Sequence, residues 1–329
     1  MKWKLLLIIS VLPLFGGEID QRVEVLEKEM KEIRLETKAE CGGEFERGWI
    51  GGKVFGDILY WHAKVGGTEY VYRLLNDDGR VESQSFDWDF GYRVGVGIFL
   101  PIVKWEVSGS FTHFGTKDTE GRGVIPPSLF INLKGGMLVS SQDAVSSYEI
   151  GCDALSVELK QGSFLSRVLG INFSLGAKQT WIEQVQKVTY RTGGEDLLRV
   201  KDRCRFQGLG PQFGVMAHVH LFSGVSLLGG AKGSLLYGHF EVKHEESSVG
   251  TKGNIHLFSP NLFFSLGIEK DISFKSVRLI LALFYEADYY WRQNQAVEIE
   301  GMRGSRFQLI RYSDDVIFYG ATLRVGMEF

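Results

Sequence analysis

Charged side chains that alternate with apolar ones are the residues of this chain with the clearest chemical potential. They occur in segments such as 277–292, where Arg278, Glu286 and Asp288 share one set of alternate positions. The full set of such candidates is Arg93, Glu106, Glu158, Lys178, Lys232, Arg278, Glu286, Asp288 and Arg324. If they line a water-filled passage, their mixed charges orient polar solutes and set ion preference. If they face one another in a filled interior, they form a network of ion pairs, and the sequence leaves both interpretations open.

Signatures of catalysis and of metal binding are sparse. The sequence has no G-x-S-x-G, HExxH or phosphate-binding P-loop motif. His62 and His113 fall near predicted strand ends, but their spacing along the strands predicts opposite faces. His218 and His220 share one face, yet two ligands alone rarely hold a metal ion. We therefore predict no enzymatic activity, no metal site and no cofactor.

The scaffold that positions these charges is clearest in residues 319–329. The odd-numbered positions from Tyr319 to Phe329 are apolar or aromatic, and the even-numbered ones are small or charged. Because successive side chains of a strand point to opposite faces, this segment has one apolar and one polar face. A strand of this kind that ends on an aromatic residue is typical of the closing strand of an outer-membrane barrel. We predict an all-β, closed antiparallel transmembrane β-barrel, with Phe329 as the signal for the barrel-assembly machinery.

The same alternation recurs through residues 52–329 and predicts ten strands. Their expected ranges are 52–63, 84–100, 104–114, 147–161, 168–182, 204–220, 224–242, 256–269, 277–292 and 316–329. Short connections alternate with long ones, as periplasmic turns and external loops do in such barrels. The long ones are expected at 64–83, 115–146, 183–203, 243–254 and 293–313. Two stretches within them, 69–75 and 129–139, would raise the count to twelve if they added a pair of strands.

The composition favours a barrel over a bundle of membrane helices. Hydrophobic residues make up 44%, and the mean hydropathy of -0.04 is too low for a helical membrane protein. Aromatic residues reach 13%, which suits rings at the bilayer interface. We predict an outward-facing aromatic girdle made of Trp61, Trp88, Trp105, Tyr289 and Trp291. The net charge of -3 gives no basis for binding nucleic acid.

The first fifty residues differ in character from the rest. Lys2 and Lys4 precede an apolar run at 5–15, which predicts a signal peptide over 1–17 and export to the outer membrane. Residues 18–40 carry apolar positions at alternating spacings of four and three, the heptad pattern of a short helix. That periplasmic helix is either a single amphipathic helix or a coiled coil that joins barrels into a homo-oligomer. A linker at 41–51 connects it to the barrel domain at 52–329.

The three cysteines, Cys41, Cys152 and Cys204, are an odd number for an exported protein. One disulfide with one free thiol and an intermolecular bridge are both open. None of the three lies in a CxxC motif, so the spacing does not indicate a metal site.

Six segments, taken in chain order, resemble one known family. They are FGDILYWHA at 55–63, WDFGYRVG at 88–95 with Trp105 and THF at 112–114, GLGP at 208–211, LLYG at 235–238, YE at 285–286 with YWRQNQ at 290–295, and the terminal Phe329. Together they are similar to the Legionella-type major outer membrane protein family, a pore-forming group with relatives among chlamydia-like bacteria. The resemblance implies a porin-like protein of the bacterial outer membrane.

The number of strands limits what such a barrel can transport. Barrel width grows with strand number, so ten or twelve strands leave a narrow lumen. We expect diffusion of small polar solutes or ions, with the loop at 115–146 able to fold inward as a constriction. The alternative is a structural or adhesive surface barrel with an occluded lumen. In either case the expected partners are outer-membrane lipid and the barrel-assembly machinery.

Overall fold

The computed structural model describes residues 51–75, 78–100, 105–123, 129–134, 140–166, 168–222, 224–247, 249–274, 277–303 and 306–329. The predicted signal peptide, the heptad helix and most of the linker lie outside these ranges. Within them the chain forms strands β1 (Gly51–Val65), β2 (Glu69–Leu75), β3 (Asp78–Ser83), β4 (Trp88–Leu100), β5 (Trp105–Gly123), β6 (Leu129–Asn132), β7 (Ser140–Ser141), β8 (Asp143–Phe164), β9 (Leu169–Thr192), β10 (Glu195–Phe222), β11 (Val225–Glu246), β12 (Val249–Phe274), β13 (Val277–Arg303) and β14 (Arg306–Glu328). None of the described residues belongs to a helix with the length and hydrophobicity that a membrane crossing requires.

Ten strands form one closed ring in the order β1-β14-β13-β12-β11-β10-β9-β8-β5-β4. Strand β1 completes the ring, because it pairs antiparallel with β14 on one side and with β4 on the other. Gly52 and Phe329 exchange backbone hydrogen bonds of 2.7 and 2.9 Å, so both ends of the barrel domain meet at one end of the ring. We call this the termini end and the opposite one the outer end. The predicted all-β class and the count of ten ring strands are confirmed.

Two predicted loops build a separate sheet at the outer end. Strands β3, β2, β6 and β7 pair in that order, and we call them the small sheet. The stretches that could have raised the strand count to twelve do pair with each other, β2 with β6, but they do so here and not in the ring. The twelve-strand alternative is therefore wrong.

Three other segments predicted as long loops are continuations of ring strands. Strands β9 and β10 extend to a turn at Gly193 and Gly194, whose φ angles of 62° and 87° favour glycine. Strands β11 and β12 likewise continue through most of 243–254, and β13 and β14 through most of 293–313. The predicted ends were wrong because water replaces lipid beyond the membrane, so the outward face becomes polar while the hydrogen-bond ladder continues.

The two faces of the ring differ in the way that the alternation predicts. Outward side chains form an exposed apolar band in which Phe90 is 71% exposed, Leu266 61% and Val96 60%. A band of this size is rare on the surface of a soluble monomer and matches the lipid-facing wall of a membrane barrel. The inward side chains, one residue along each strand, are mostly buried and determine what the interior can do.

Candidate functional site in the barrel interior

The outer half of the ring interior contains a large cluster of buried apolar side chains, with buried glutamines such as Gln184 and Gln186 beside it. Almost every ring strand contributes to this apolar layer, and a residue preceding β4 completes it: Leu59, Trp61, Ala63, Val65, Phe86, Phe114, Tyr148, Ile150, Cys152, Ile182, Cys204, Phe206, Leu236, Phe240, Val242, Tyr290, Val316 and Phe318. Aromatic rings of β1, β5 and β14 meet inside the ring, with centroids 5.7 Å apart for Trp61 and Phe114 and 5.5 Å for Phe114 and Phe318. Leu236 and Phe318 are 0% exposed. The layer is packed as the core of a soluble domain is packed.

The small sheet covers the apolar layer from the outer end. Tyr70 and Val71 of β2 are 0% exposed and form a second apolar cluster with inward residues of β8, β9 and β10. The Tyr190 hydroxyl donates a hydrogen bond to the carbonyl of Tyr70. Gln186 Nε2 donates to the carbonyl of Thr68 at 3.1 Å. Inward polar and apolar contacts therefore hold the small sheet inside the mouth of the ring.

Between the apolar layer and the termini end lies a charged layer, whose central residue is Arg93. Its guanidinium donates to Asp57 at 3.1 Å and to both carboxylate oxygens of Glu286 at 3.1 and 3.2 Å. Arg324 donates twice to Asp57, at 2.8 Å each. The Thr322 hydroxyl donates to Glu286 at 2.7 Å. Asp57, Arg93 and Glu286 are buried and Arg324 is partly buried, and all four are mutually paired, as buried ions must be.

A second group of the charged layer is built around Asp288. Lys178 Nζ lies 3.2 Å from Asp288 Oδ2 and donates to Asn261 at 2.9 Å. Asn261 in turn donates to Asp288 at 2.6 Å, and the Tyr290 hydroxyl donates to it at 3.0 Å. Tyr290 belongs to the apolar layer, so this group joins the two layers.

The third group is built around Glu158. Lys232 Nζ donates to Glu158 at 2.6 Å and Gln212 Nε2 at 3.0 Å. Lys160 lies 3.8 Å from Glu158 and 3.4 Å from Glu106, which extends the group toward the termini end.

A fourth group closes the network at the termini end itself. Arg278 pairs with Asp271 and, at 3.4 Å, with Glu328. Glu328 also lies 3.2 Å from Lys53 of β1. The last residues of β14 are thus tied to the strands on both of its sides by charge as well as by the backbone ladder.

A cavity of about 160 Å³ lies within the charged layer. Arg93, Glu286 and Lys178 bound it toward the apolar layer, and Lys160, 29% exposed at its side chain, stands toward the termini end. The side-chain oxygen of Gln212 lines it without a hydrogen-bond partner among the described residues. A polar space of this size accommodates a few water molecules. It stops below the apolar layer.

The nine charged residues singled out in the sequence all point into the ring. The structure brings Arg93, Glu286 and Arg324 into one group, Lys178 and Asp288 into another, and Glu106, Glu158 and Lys232 into a third; Arg278 lies apart, at the termini end. Their role as pore lining stays a prediction.

Asp57 is a central residue of the interior that the sequence did not place among the inward-facing charges. It accepts hydrogen bonds from Arg93 and Arg324 and is 3% exposed. Strand β1 has apolar residues on both faces, Ile58 and Tyr60 outward and Leu59 inward, so its phase could not be read from alternation alone. Pairing with the two neighbouring strands, which places Asp57 beside Arg324 of β14 and Arg93 of β4, is the signal that identifies it.

Because β1 has apolar residues on both faces, one member of the predicted aromatic girdle was assigned to the wrong face. We predicted that Trp61 faces outward, and this is wrong: Trp61 is 2% exposed and its Nε1 donates to Thr322 inside the ring at 3.1 Å. Trp88 and Trp291 do face outward, at 41% and 36% exposure. Trp105 and Tyr289 are half-buried on the same outer face.

The histidines do not assemble into a metal site in the described part of the chain. His113 lies 2.6 Å from Asp153 on the outer surface, and His62 stacks on Tyr319 there with centroids 5.2 Å apart. The predicted opposite phases of His62 and His113 are therefore wrong. His218 contacts Asn172 at 3.0 Å inside the ring. Among the described residues no three potential ligands converge.

Two of the three cysteines lie in the apolar layer. Cys152 and Cys204 are both buried free thiols, 6% and 3% exposed. Cys41 lies outside the described residues, so its pairing stays open.

One family model and several solved structures are similar to this chain. The family model for the Legionella pneumophila major outer membrane protein precursor matches residues 49–329. No curated protein matches the chain. Similar solved structures include the outer membrane protease OmpT from Escherichia coli (9% identity, 85% of this chain and 96% of that one, TM-score 0.44) and a major outer membrane protein from Thermus thermophilus (10% identity, 85% and 99%, TM-score 0.37). The translocator domain of the autotransporter NalP from Neisseria meningitidis is a third (12% identity, 94% and 97%, TM-score 0.31). Likeness at this level carries no functional argument.

Proposed function

Because the chain belongs to the Legionella pneumophila major outer membrane protein family, we propose that it is an outer-membrane barrel whose lumen is occluded and whose role is structural or adhesive. The apolar layer is the single observation that carries this proposal. Its buried side chains lie between the charged cavity and the outer end, where they oppose the passage of a polar solute.

The energetics of the apolar layer oppose conduction. A hydrophobic constriction excludes ions by remaining dry, since an ion cannot shed its water without polar replacements. Opening a passage would also expose large side chains such as Phe114, Phe240 and Phe318, each at a cost of about 1.5–3 kcal/mol. The small sheet adds a second barrier, because Tyr70 and Val71 pack into the mouth of the ring.

The test is single-channel recording on the full chain refolded into planar bilayers. We expect no stepwise current from the native sequence, whereas the double variant Phe114→Ala, Phe318→Ala should show brief openings because it removes two rings that meet in the lumen. Leu235→Ala, which changes a lipid-facing side chain, is the matched control and should stay silent. Regular steps from the native sequence would overturn the proposal.

A narrow pore for small solutes or ions is the second candidate, and the charged cavity favours it. The cavity has side chains of both signs on its walls, the arrangement that sets ion preference in conducting barrels. If the native chain conducts, Arg93→Gln should change its ion preference, since Arg93 faces the cavity. Silence of the native chain at high protein density would remove this candidate. Neither candidate includes a catalytic step.

The first forty residues are expected to serve in export and assembly. Export through a signal peptide at 1–17 and a periplasmic helix at 18–40 that joins barrels into an oligomer remain predictions. Deleting residues 18–40 from the mature chain should reduce the particle size in detergent if the helix is a coiled coil. An unchanged size would overturn that part of the proposal.

A further inference from the structure

The outer wall of the barrel carries a cluster of basic residues just beyond the lipid-facing band. On β9–β12 the lipid-facing band ends at a row of four residues that lie opposite one another on adjacent strands: Trp181, Gln207, His239 and His256. Outward positions beyond this row form what we call the basic wall: Lys187, Lys201, Arg203, Arg205, Lys243 and Lys252. The wall projects past the membrane because these strands continue through segments that otherwise would be loops.

Cations in the basic wall lie directly beside one another. Arg203 pairs with Lys243 across β10 and β11, and Lys243 pairs with Lys252 across β11 and β12, so three cations stand in one row. Lys187 and Lys201 face each other in the next row. Adjacent strands are only about 4.8 Å apart, and like charges in such pairs destabilise a sheet. An arrangement of this kind is favourable when a multivalent anion bridges the cations.

The acidic residues among them are too few to neutralise the wall. Glu183 accepts from Arg203 at 2.5 Å and from Arg205 at 3.0 Å. Glu241 is shared in the same way by Lys243 and Lys252, at 3.0 Å each. With Glu245, which lies 3.6 Å from Lys201, three acids oppose six bases. The shared carboxylates hold the cations in place and leave an excess of positive charge facing outward.

We propose that the basic wall binds the phosphate groups of a glycolipid of the outer leaflet, with lipid A as the chemical type. Guanidinium and ammonium groups form strong charge-assisted hydrogen bonds with phosphate. On the membrane side of the row Trp181, Gln207, His239 and His256, three residues form a continuous apolar surface: Leu209, Tyr237 and Phe258, which are 57%, 54% and 57% exposed. A ligand that touches both surfaces carries phosphates at one end and acyl chains at the other. The inference rests on the outer-membrane location and is independent of whether the lumen conducts.

The experiment titrates the full chain in neutral detergent micelles with bisphosphorylated lipid A and counts bound lipid by native mass spectrometry. The variant Arg203→Gln, Lys243→Gln, Lys252→Gln should weaken binding about tenfold or more, because it removes the row of three cations. The double variant Lys64→Gln, Lys117→Gln is the control, since these exposed cations lie on β1 and β5, on the outer surface of the barrel away from the basic wall. The control should change binding less than about twofold. Lys243→Gln alone serves if the triple variant does not fold.

Three outcomes would overturn the inference. Equal binding of dephosphorylated lipid A would show that only acyl chains are recognised. Displacement of the lipid by inorganic phosphate at low concentration would indicate a site for a soluble anion. If the triple variant instead converts an oligomer to a monomer while lipid binding is unchanged, the wall is an interface between copies of this chain.

Discussion

The two halves of the barrel interior differ in which side chains dominate them, charged in one and apolar in the other. The charged layer near the termini end pairs its ions within the ring and still leaves a cavity of about 160 Å³. The apolar layer above it has side chains such as Leu59, Ile150 and Phe240 at 0% exposure. The charged half has room for water, whereas in the proposed function the apolar half closes the path, so charge alone would not make a channel.

Breaking the charged layer should give the largest effect. Arg93→Leu leaves the buried Glu286 carboxylate without its guanidinium partner and weakens the hold on Asp57. We expect a loss of about 3–5 kcal/mol in the free energy of unfolding, since an unpaired buried charge is severely destabilising. Urea unfolding in micelles, followed by tryptophan fluorescence, measures it.

The control for Arg93→Leu is Lys117→Leu on the outer surface. Lys117 and Glu149 lie 3.7 Å apart and are both 63% exposed. An exposed pair of this kind contributes about 0–1 kcal/mol. Equal losses for both variants would mean that the interior charges are in contact with bulk water.

The apolar layer can be tested with two neighbouring leucines. Leu236 is 0% exposed inside the ring, and Leu235 is 46% exposed toward lipid. Leu236→Ala should destabilise the barrel by about 2–5 kcal/mol through lost contacts and a residual cavity. Leu235→Ala should cost much less, because lipid chains fill the space. Similar losses in urea unfolding would contradict the packed interior.

Whether a feature of the fold could be predicted from the sequence depended on whether its residues face lipid, water or the barrel interior. Lipid imposes strict alternation, so the ten ring strands and the inward phase of Arg93 and Arg278 followed from the pattern. Where both faces are apolar, as in β1 around Trp61, alternation gives no phase. Beyond the membrane the outward face is wet, so β9 and β10 read as a loop at 183–203. The apolar layer depends on how far opposite side chains reach across the ring, which no local pattern records.

Removing one hydrogen bond of the small sheet should have a smaller, local effect. Tyr190→Phe deletes the hydroxyl that donates to the carbonyl of Tyr70. We expect about 1 kcal/mol less local stability, or roughly fivefold faster amide hydrogen exchange in β2. Tyr237→Phe, on the lipid-facing side, is the control. No change in β2 would mean that the small sheet is held by other contacts.

The smallest effect on stability is expected from lowering the pH, which weakens ion pairs on the outer surface. Hydrogen bonds from Lys252 and Lys243 lower the pKa of Glu241 to about 2 from its usual 4.5. Because this pKa is depressed in the folded state, the stabilisation is present above pH 4.5 and is lost as the pH falls toward 2. Protection of the β11–β12 hairpin against hydrogen exchange, taken relative to the intrinsic exchange rate at each pH, should fall over that interval. Glu241→Gln should abolish this dependence, and an unchanged profile in that variant would assign it to another group.

Thiol accessibility tests most directly whether the apolar layer seals the lumen. Cys152 and Cys204 lie within the apolar layer, whereas Ser156 lines the charged cavity. The folded barrel is treated with a water-soluble maleimide, and each site is mapped by mass spectrometry, with Ser156→Cys as the reactive reference. We predict modification at position 156 and none at Cys152 or Cys204 until the barrel is denatured. Labelling of the two native cysteines in the folded barrel at a rate close to that of position 156 would show a water-filled lumen and contradict the account.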